Sequence, residues 1–182
     1  MRVISGSARG TILKTIENLS TRPTTDRVKE NMFNLIPGGF YDERILDLFA
    51  GSGALGLEAL SRGGEDAVFV DSNPKCVSVM KENIEKCRFA DKSKVLMMSV
   101  EAAFAKLEGE EAFNVVFMDP PYNKNFVIQT LTGLVKYDII AFDGLVVIDH
   151  EHLEVLPESI EGYEKLKERK YGRSVVSIFR RI

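Results

Sequence analysis

The sequence predicts an α/β fold, a mainly parallel sheet covered by helices. Two observations carry this reading. From Arg44 onward, short apolar runs alternate with longer amphipathic stretches, the rhythm of strand and helix units built into a parallel sheet. Near the end that rhythm breaks: Glu164 to Arg169 and Ser174 to Phe179 flank the turn signal Tyr171-Gly172, an antiparallel pair added to the sheet. A chain of 182 residues suits one domain, residues 1–182, with a sizeable core.

In chain order, the first expected element is a small hairpin across Arg2 to Ile16, where β-branched residues surround Gly6 and Gly10. A helix follows. Thr24 or Thr25 can cap it by accepting backbone N–H bonds, and Val28, Met32, Leu35 and Ile36 form its expected buried stripe. Pro37-Gly38-Gly39 ends it, so residues 1–40 read as an N-terminal hairpin and helix attached to a core of residues 41–182. In the core the expected strands are Arg44 to Phe49, Ala67 to Asp71, Lys94 to Met98, Asn114 to Met118 and Leu145 to Asp149. Between them, Ala54 to Arg62, Pro74 to Lys86, Glu101 to Leu107 and Asn125 to Val135 carry apolar residues at helical spacing.

Composition narrows the class. At 45% hydrophobic and 28% charged, the chain reads as an ordinary soluble protein, with no apolar run near the roughly 20 residues that span a bilayer. The start MRVISGSARG lacks a signal-peptide core, so a cytoplasmic protein without a membrane partner is expected. Cys76 and Cys87 lie on one predicted helix without metal-ligand spacing and read as reduced thiols. His150 and His152, near Asp149 and Glu151, read as exposed strand-end residues rather than a metal cluster, and no metal is expected. The net charge of −3 conceals a segregation: residues 1–30 sum to +3, residues 165–182 to +6, and the middle to −12. If the fold brings both basic ends to one face, that face attracts phosphates; otherwise these are solvated edge charges.

The segment Asp47 to Gly56, DLFAGSGALG, closes a predicted strand and opens a predicted helix with GxGxxG spacing. Glycines there permit a sharp turn and close ligand approach. Asp71 ends the next strand twenty residues after Gly51, where a carboxylate can accept bonds from both ribose hydroxyls. Loop and acid together read as a nucleoside site holding Gly51, Gly53 and Asp71. A dinucleotide would share this spacing, but Asp47 just before the loop can attract the ammonium of S-adenosylmethionine and would repel a pyrophosphate, and Phe49 adds an aromatic ring. Ser99 or Glu101, after the third strand, is a candidate for the adenine edge.

Asp119-Pro120-Pro121-Tyr122 directly follows the apolar run Val115 to Met118. Two prolines fix φ and remove two N–H donors, leaving the loop's carbonyls free to accept bonds. An exocyclic amine on a base is a poor nucleophile, because its lone pair is delocalised into the ring. Accepting its two N–H bonds with the Asp119 carboxylate and the Pro120 carbonyl would orient the nitrogen and favour its pyramidal form. Tyr122 supplies a flat face for stacking, a contact worth about 1–3 kcal/mol per base, and a base within a duplex would first be flipped out.

Together these segments resemble the class I methyltransferases, and more closely the bacterial 16S rRNA guanine-N2 methyltransferase family. The likeness spans nearly the whole chain. It rests on RVISGSARG at Arg2, RPTTDRVKE at Arg22, DLFAGSGALGLEALSRG from Asp47 to Gly63, the DPPY loop and Lys170-Tyr171-Gly172. The family implies a Rossmann-like sheet of seven strands with a reversed last strand. It implies N2-methylation of one guanine, of the guanine-966 type, in 16S rRNA presented in the 30S subunit or its precursor. By that likeness Asp119, Pro120 and Tyr122 hold the base and Gly51, Gly53 and Asp71 hold S-adenosylmethionine, while Arg2, Arg9, Arg22 and Arg27 lie toward the RNA. A monomer is expected. Where relatives often carry Asp or Asn, this chain reads Met98-Ser99-Val100-Glu101, which leaves the adenine contact open.

Three other readings compete. A DNA adenine-N6 methyltransferase also uses DPPY, but normally needs a recognition region for which this chain has little room. A dinucleotide-dependent oxidoreductase gives DPPY no role. A non-catalytic rRNA-binding assembly factor is disfavoured by the intact Asp119 and glycine loop.

Overall fold

The computed structural model describes residues 1–16, 26–121 and 126–182. Arg22, Thr24, Thr25 and Tyr122 lie outside the described residues. In chain order the elements are α1 (Asp26–Leu35), β1 (Arg44–Leu48), α2 (Ala54–Ser61), β2 (Asp66–Asp71), α3 (Pro74–Cys87), β3 (Ser93–Met97), α4 (Val100–Leu107), β4 (Phe113–Met118), α5 (Phe126–Lys136), β5 (Ile140–Glu151), β6 (Ser159–Ile160), β7 (Tyr163–Tyr171) and β8 (Ser174–Arg181).

One sheet of eight strands runs in the order β3-β2-β1-β4-β5-β8-β7-β6. Strands β1 to β5 pair in parallel, and β8 inserts antiparallel between β5 and β7. The α/β class and the reversed last strand are as expected. The eighth strand is β6, two residues paired with the start of β7, too short to leave an alternating pattern in the sequence.

The central strands are buried on both faces, which explains their continuous apolar runs. Ile45, Phe69, Val115, Phe117, Val147 and Ile178 point to the face covered by α1, α2 and α3. Leu46, Val68, Val116, Met118, Val146 and Phe179 point to the opposite face, under α4 and α5. Helix α1 is anchored by Phe33, whose ring stacks on Phe117 at 5.2 Å and meets Phe40 at 5.1 Å, while the Arg62 guanidinium lies 4.7 Å over it. Such ring pairs contribute about 0.5–1.5 kcal/mol each beyond their buried area.

One expectation for the extension is corrected. The buried residues of α1 are Lys29, Met32 and Phe33, with Ile36 just beyond its end, whereas Val28 and Leu35 are only half-buried. The helix is turned by Lys29, which is fully buried because Glu58 receives its ammonium at 2.9 Å. The small N-terminal hairpin is closed by the antiparallel bridge of Arg2 and Ile12, with the Val3 N–H donating to the Thr11 carbonyl and the Leu13 N–H to the Met1 carbonyl at 3.0 Å each. Other backbone N–H groups of the arm are held by side chains of the core. Ile4 and Ser5 donate to the two Glu58 oxygens at 2.8 and 3.0 Å, Ala8 donates to Ser61 Oγ at 2.9 Å, and Lys14 donates to Asn83 Oδ1 at 2.8 Å.

Candidate active site

The chain passes outward from β1 to β2 and β3, then returns to place β4 on the other side of β1. That reversal opens a crevice beyond the carboxyl ends of β1 and β4, the usual ligand position in such sheets. Leu48 pairs with Met118, so the glycine loop and the Asp-Pro-Pro loop leave the sheet side by side. A cavity of about 480 Å³ lies there. Its lining brings together Asp47, Phe49, Gly51, Asp71, Ser99 and Asp119 among the residues expected from sequence.

The glycines of the loop serve different ends. A Cβ at Gly51 would meet nothing nearer than 4.0 Å within the chain, so this side of the loop is open toward the cavity. Gly53 lies outside the cavity lining. Its φ of +78° is the left-handed conformation that starts α2, and a Cβ there would lie 3.0 Å from Met80 Cγ. At Gly56 the reason is packing: a Cβ would lie 2.4 Å from the Phe69 ring. Phe49, outside glycine, also takes a positive φ of 58°, and its ring sits 5.6 Å from that of Phe126 on the cavity wall. A bulky residue held in that conformation marks local strain at the site.

Two carboxylates tie the loop together. Asp71 accepts the Gly51 N–H and the Asn73 N–H, one on each oxygen, at 2.8 Å each. Asp47 is 2% exposed and accepts the Gly56 N–H at 2.8 Å. Burial pushes the Asp47 carboxyl well above its ordinary range, the Gly56 bond opposes this, and the charges of Asp119 and Asp71 add to it. Four carboxylates, Asp47, Asp71, Asp119 and Glu101, thus face a cavity whose remaining wall is largely apolar, including Val70, Met98 and Val100. This donor set suits S-adenosylmethionine: an acidic floor for an ammonium, a strand-end carboxylate for ribose hydroxyls, and apolar walls for adenine.

Asp119 and Pro121 are half-buried on the cavity wall, and Pro120 is buried behind them. Ser99 accepts the Ala102 N–H at 3.2 Å and so caps α4 as well as lining the cavity, as Glu101 also does.

Sequence reasoning missed that the N-terminal arm forms part of this site. Met1, Thr15 and Ile16 line the cavity, and Asn83 links the arm to the glycine loop by donating to the Lys14 and Ser52 carbonyls at 3.0 and 2.9 Å. The only trace in the sequence is Glu58, an acidic residue within an otherwise apolar helix. Arg2 and Arg27 are exposed, and the Arg2 side chain pairs with Asp26 at 3.7 Å. Arg9 is exposed on the turn that packs against Ser61, the opposite end of α2 from the cavity. His150 is buried, correcting its expected exposure: its Nε2 lies 2.8 Å from Ser177 Oγ, and burial lowers its pKa. Both cysteines are free and buried. No described helix is long and apolar enough to cross a membrane.

Comparison with known proteins extends over the whole fold. The family described as conserved hypothetical protein 95 matches residues 1–180. The Bacillus subtilis protein YlbH is 40% identical over 182 residues, covering 100% of this chain and 99% of that one. Ribosomal RNA small subunit methyltransferase D of Escherichia coli is 30% identical over 181 residues, covering 100% of this chain and 90% of that one. The solved structure of Escherichia coli yhhF superposes with a TM-score of 0.87 at 31% identity, covering 100% of this chain and 97% of that one.

Proposed function

This chain belongs to the conserved hypothetical protein 95 family, and on that premise we propose that it methylates small-subunit rRNA at the exocyclic N2 of one guanine, of the guanine-966 type. The methyl donor of the family, S-adenosylmethionine, supplies a methyl group made electrophilic by its sulfonium sulfur. The observation that carries the proposal is the cavity shared by the glycine loop and Asp119 at the adjoining ends of β1 and β4.

The chain's own residues bind, orient and shield. Asp47, where ionised, attracts the ammonium of the donor, and Asp71 accepts from its ribose while holding the glycine loop. Phe49 and the apolar wall exclude water from the adenine. Asp119 accepts one N–H of the guanine amine and the Pro120 carbonyl the other, which directs the nitrogen lone pair into the cavity. Tyr122 provides the stacking face. The rate gain comes chiefly from positioning, which can lower a barrier by about 7–11 kcal/mol when reactants are held in line. Asp119 need not act as a base, because the amine becomes acidic once methylated. Arg2, Arg22 and Arg27 supply positive charge for the RNA.

Transfer of labelled methyl groups to 16S rRNA from cells lacking the gene, followed by mass-spectrometric mapping, tests the proposal. The expected product is N2-methylguanine at one site. Asp119→Ala should abolish transfer while leaving S-adenosylmethionine affinity, measured by calorimetry, within a few-fold of wild type. Undiminished transfer in that variant overturns the role of Asp119, and methylation of adenine in DNA would overturn the substrate.

A further inference from the structure

The cations of the β7–β8 hairpin divide by their height on the sheet. Toward the end remote from the cavity they are paired: Lys165 with Glu158 and Glu168 at 3.0 Å each, Arg180 with Glu164, and Arg181 with Asp138 at 2.8 Å. Toward the cavity end, Arg169, Lys170 and Arg173 are exposed, and no carboxylate lies within 4.0 Å of them among the described residues. Lys167 is already used, its ammonium donating to the Leu35 carbonyl at 2.8 Å, whereas Arg169 gives one N–H to the Glu168 carbonyl at 3.2 Å and keeps its other donors. Nearby acids are also committed: Glu168 to Lys165 and Ser177, and Asp149 to Ser174. Glu151 ends β5 and Glu154 follows it, and neither is within ion-pair distance of a cation among the described residues.

The register fixes where this unpaired charge stands. Ile148 pairs with Met118 on one side and Ser177 on the other, and β5 and β8 then continue together as far as Glu151 and Ser174. The hairpin therefore projects three residues beyond the end of β4, about 10 Å at 3.3 Å per residue. It stands two to three strands to the side of Asp119, about 10–14 Å at the spacing of neighbouring strands. On the other side of Asp119 the cavity is acidic, with Asp71 and Glu101 on its wall and Asp47 buried in its floor. A polyanion that delivered a base to Asp119 would be repelled by that half and attracted by the hairpin half.

We propose that the tip of the β7–β8 hairpin, through Arg169, Lys170 and Arg173, binds the RNA phosphates that flank the target nucleotide. This rests on the RNA-methyltransferase reading and resolves the basic tail into two functions. The paired cations fasten the sheet, and the unpaired ones dock the substrate. Guanidinium groups suit this task because their planar fork meets phosphate oxygens two at a time. Arg9 is left out of this surface, since its turn packs on Ser61, at the end of α2 that lies about 10 Å from the cavity end.

The test compares wild type, Arg169→Gln/Lys170→Gln/Arg173→Gln, the single variant Arg173→Gln and Arg9→Gln. Filter binding measures affinity for unmethylated 16S rRNA across a potassium chloride series, and calorimetry measures affinity for S-adenosylmethionine. Each phosphate contact contributes about 0.7–0.9 to the slope of log affinity against log salt. The triple variant should lose about 2 from that slope, Arg173→Gln just under 1, and Arg9→Gln nothing, all with unchanged cofactor affinity. Unchanged slopes in the triple and Arg173 variants, with wild-type RNA binding intact, overturn the hairpin's role and make its charges guards of an exposed sheet edge. Wild-type protein that neither binds nor methylates RNA overturns the functional reading itself, and the docking surface with it. Because Arg173 lies on the exposed turn, its variant keeps the test decisive should the triple variant fold poorly.

Discussion

Lys29 and Glu58 form an ion pair at 2.9 Å in which neither side chain is exposed. The Glu58 carboxylate also accepts the Ile4 and Ser5 N–H groups and the Arg62 guanidinium, while Lys29 donates to the Arg2 carbonyl at 2.6 Å. Removing one partner leaves the other charge buried and unmatched, which costs about 3–5 kcal/mol. Glu58→Gln and Lys29→Met should each lower stability to denaturant by that order, and the double variant should recover part of the loss. Burial pushes the Glu58 carboxyl up, but its Ile4, Lys29 and Arg62 partners more than offset this and hold it below 4.5. The group therefore adds stability above about pH 4.5 and loses it as pH falls through the lower folded value. Denaturation at pH 7 and in acid should show wild type and Glu58→Gln converging in acid.

Asp47 behaves in the opposite sense. A buried carboxyl whose pKa is raised weakens the fold as pH climbs from its unfolded value, 3.8, through its folded one. Asp47→Asn should therefore stabilise the cofactor-free protein, more at pH 8 than at pH 5. The same change should weaken S-adenosylmethionine binding and remove the loss of affinity expected of wild type on acidification. Thermal melts and calorimetry over that range check both signs.

Gly6 and Gly10 share nearly the same backbone, φ of +84° and +86°, but differ in surroundings. A Cβ at Gly6 would fall 1.6 Å from the Ser61 carbonyl oxygen, whereas at Gly10 nothing lies within 4 Å. Gly10→Ala should cost only the left-handed strain, about 1–2 kcal/mol. Gly6→Ala should cost more and should also reduce cofactor affinity, because it lifts the arm whose Met1, Thr15 and Ile16 line the cavity. Melting temperatures with and without S-adenosylmethionine separate the two effects.

Cys76 lines the cavity beside Asp71, and burial together with that carboxylate pushes its thiol up to about 11. Cys87 is raised as well, again by burial first. At pH 8 neither thiol should react quickly with a disulfide reagent, and both should react on unfolding, which a colorimetric thiol assay follows.

What the sequence made legible follows from how each signal is written along the chain. Strands β1, β2 and β4 are buried on both faces, so their apolar runs are continuous, and the loops that follow them carry glycine or proline signals within a few residues. The glycine loop, Asp71 and Asp119 could be found for that reason, and they meet in one cavity. Lys29 could not. A lysine on a helix reads as solvent-facing, and its partner Glu58 lies 29 residues away in a segment that looks like ordinary apolar helix. The same holds for His150, whose burial depends on Ser177 across the sheet at a separation of 27 residues. The arm's share of the cavity rests on backbone bonds to Glu58, Ser61 and Asn83, which leave no periodicity to read.

The contribution of Met1, Thr15 and Ile16 to the cavity wall makes ligand occupancy and fold integrity a single equilibrium. A ligand that binds only with the arm in place holds it there by mass action, by about 2.7 kcal/mol once its free concentration reaches a hundred times Kd. The arm in turn is held by the buried Glu58, so a change at that carboxylate and a change in methyl-donor supply act on the same balance.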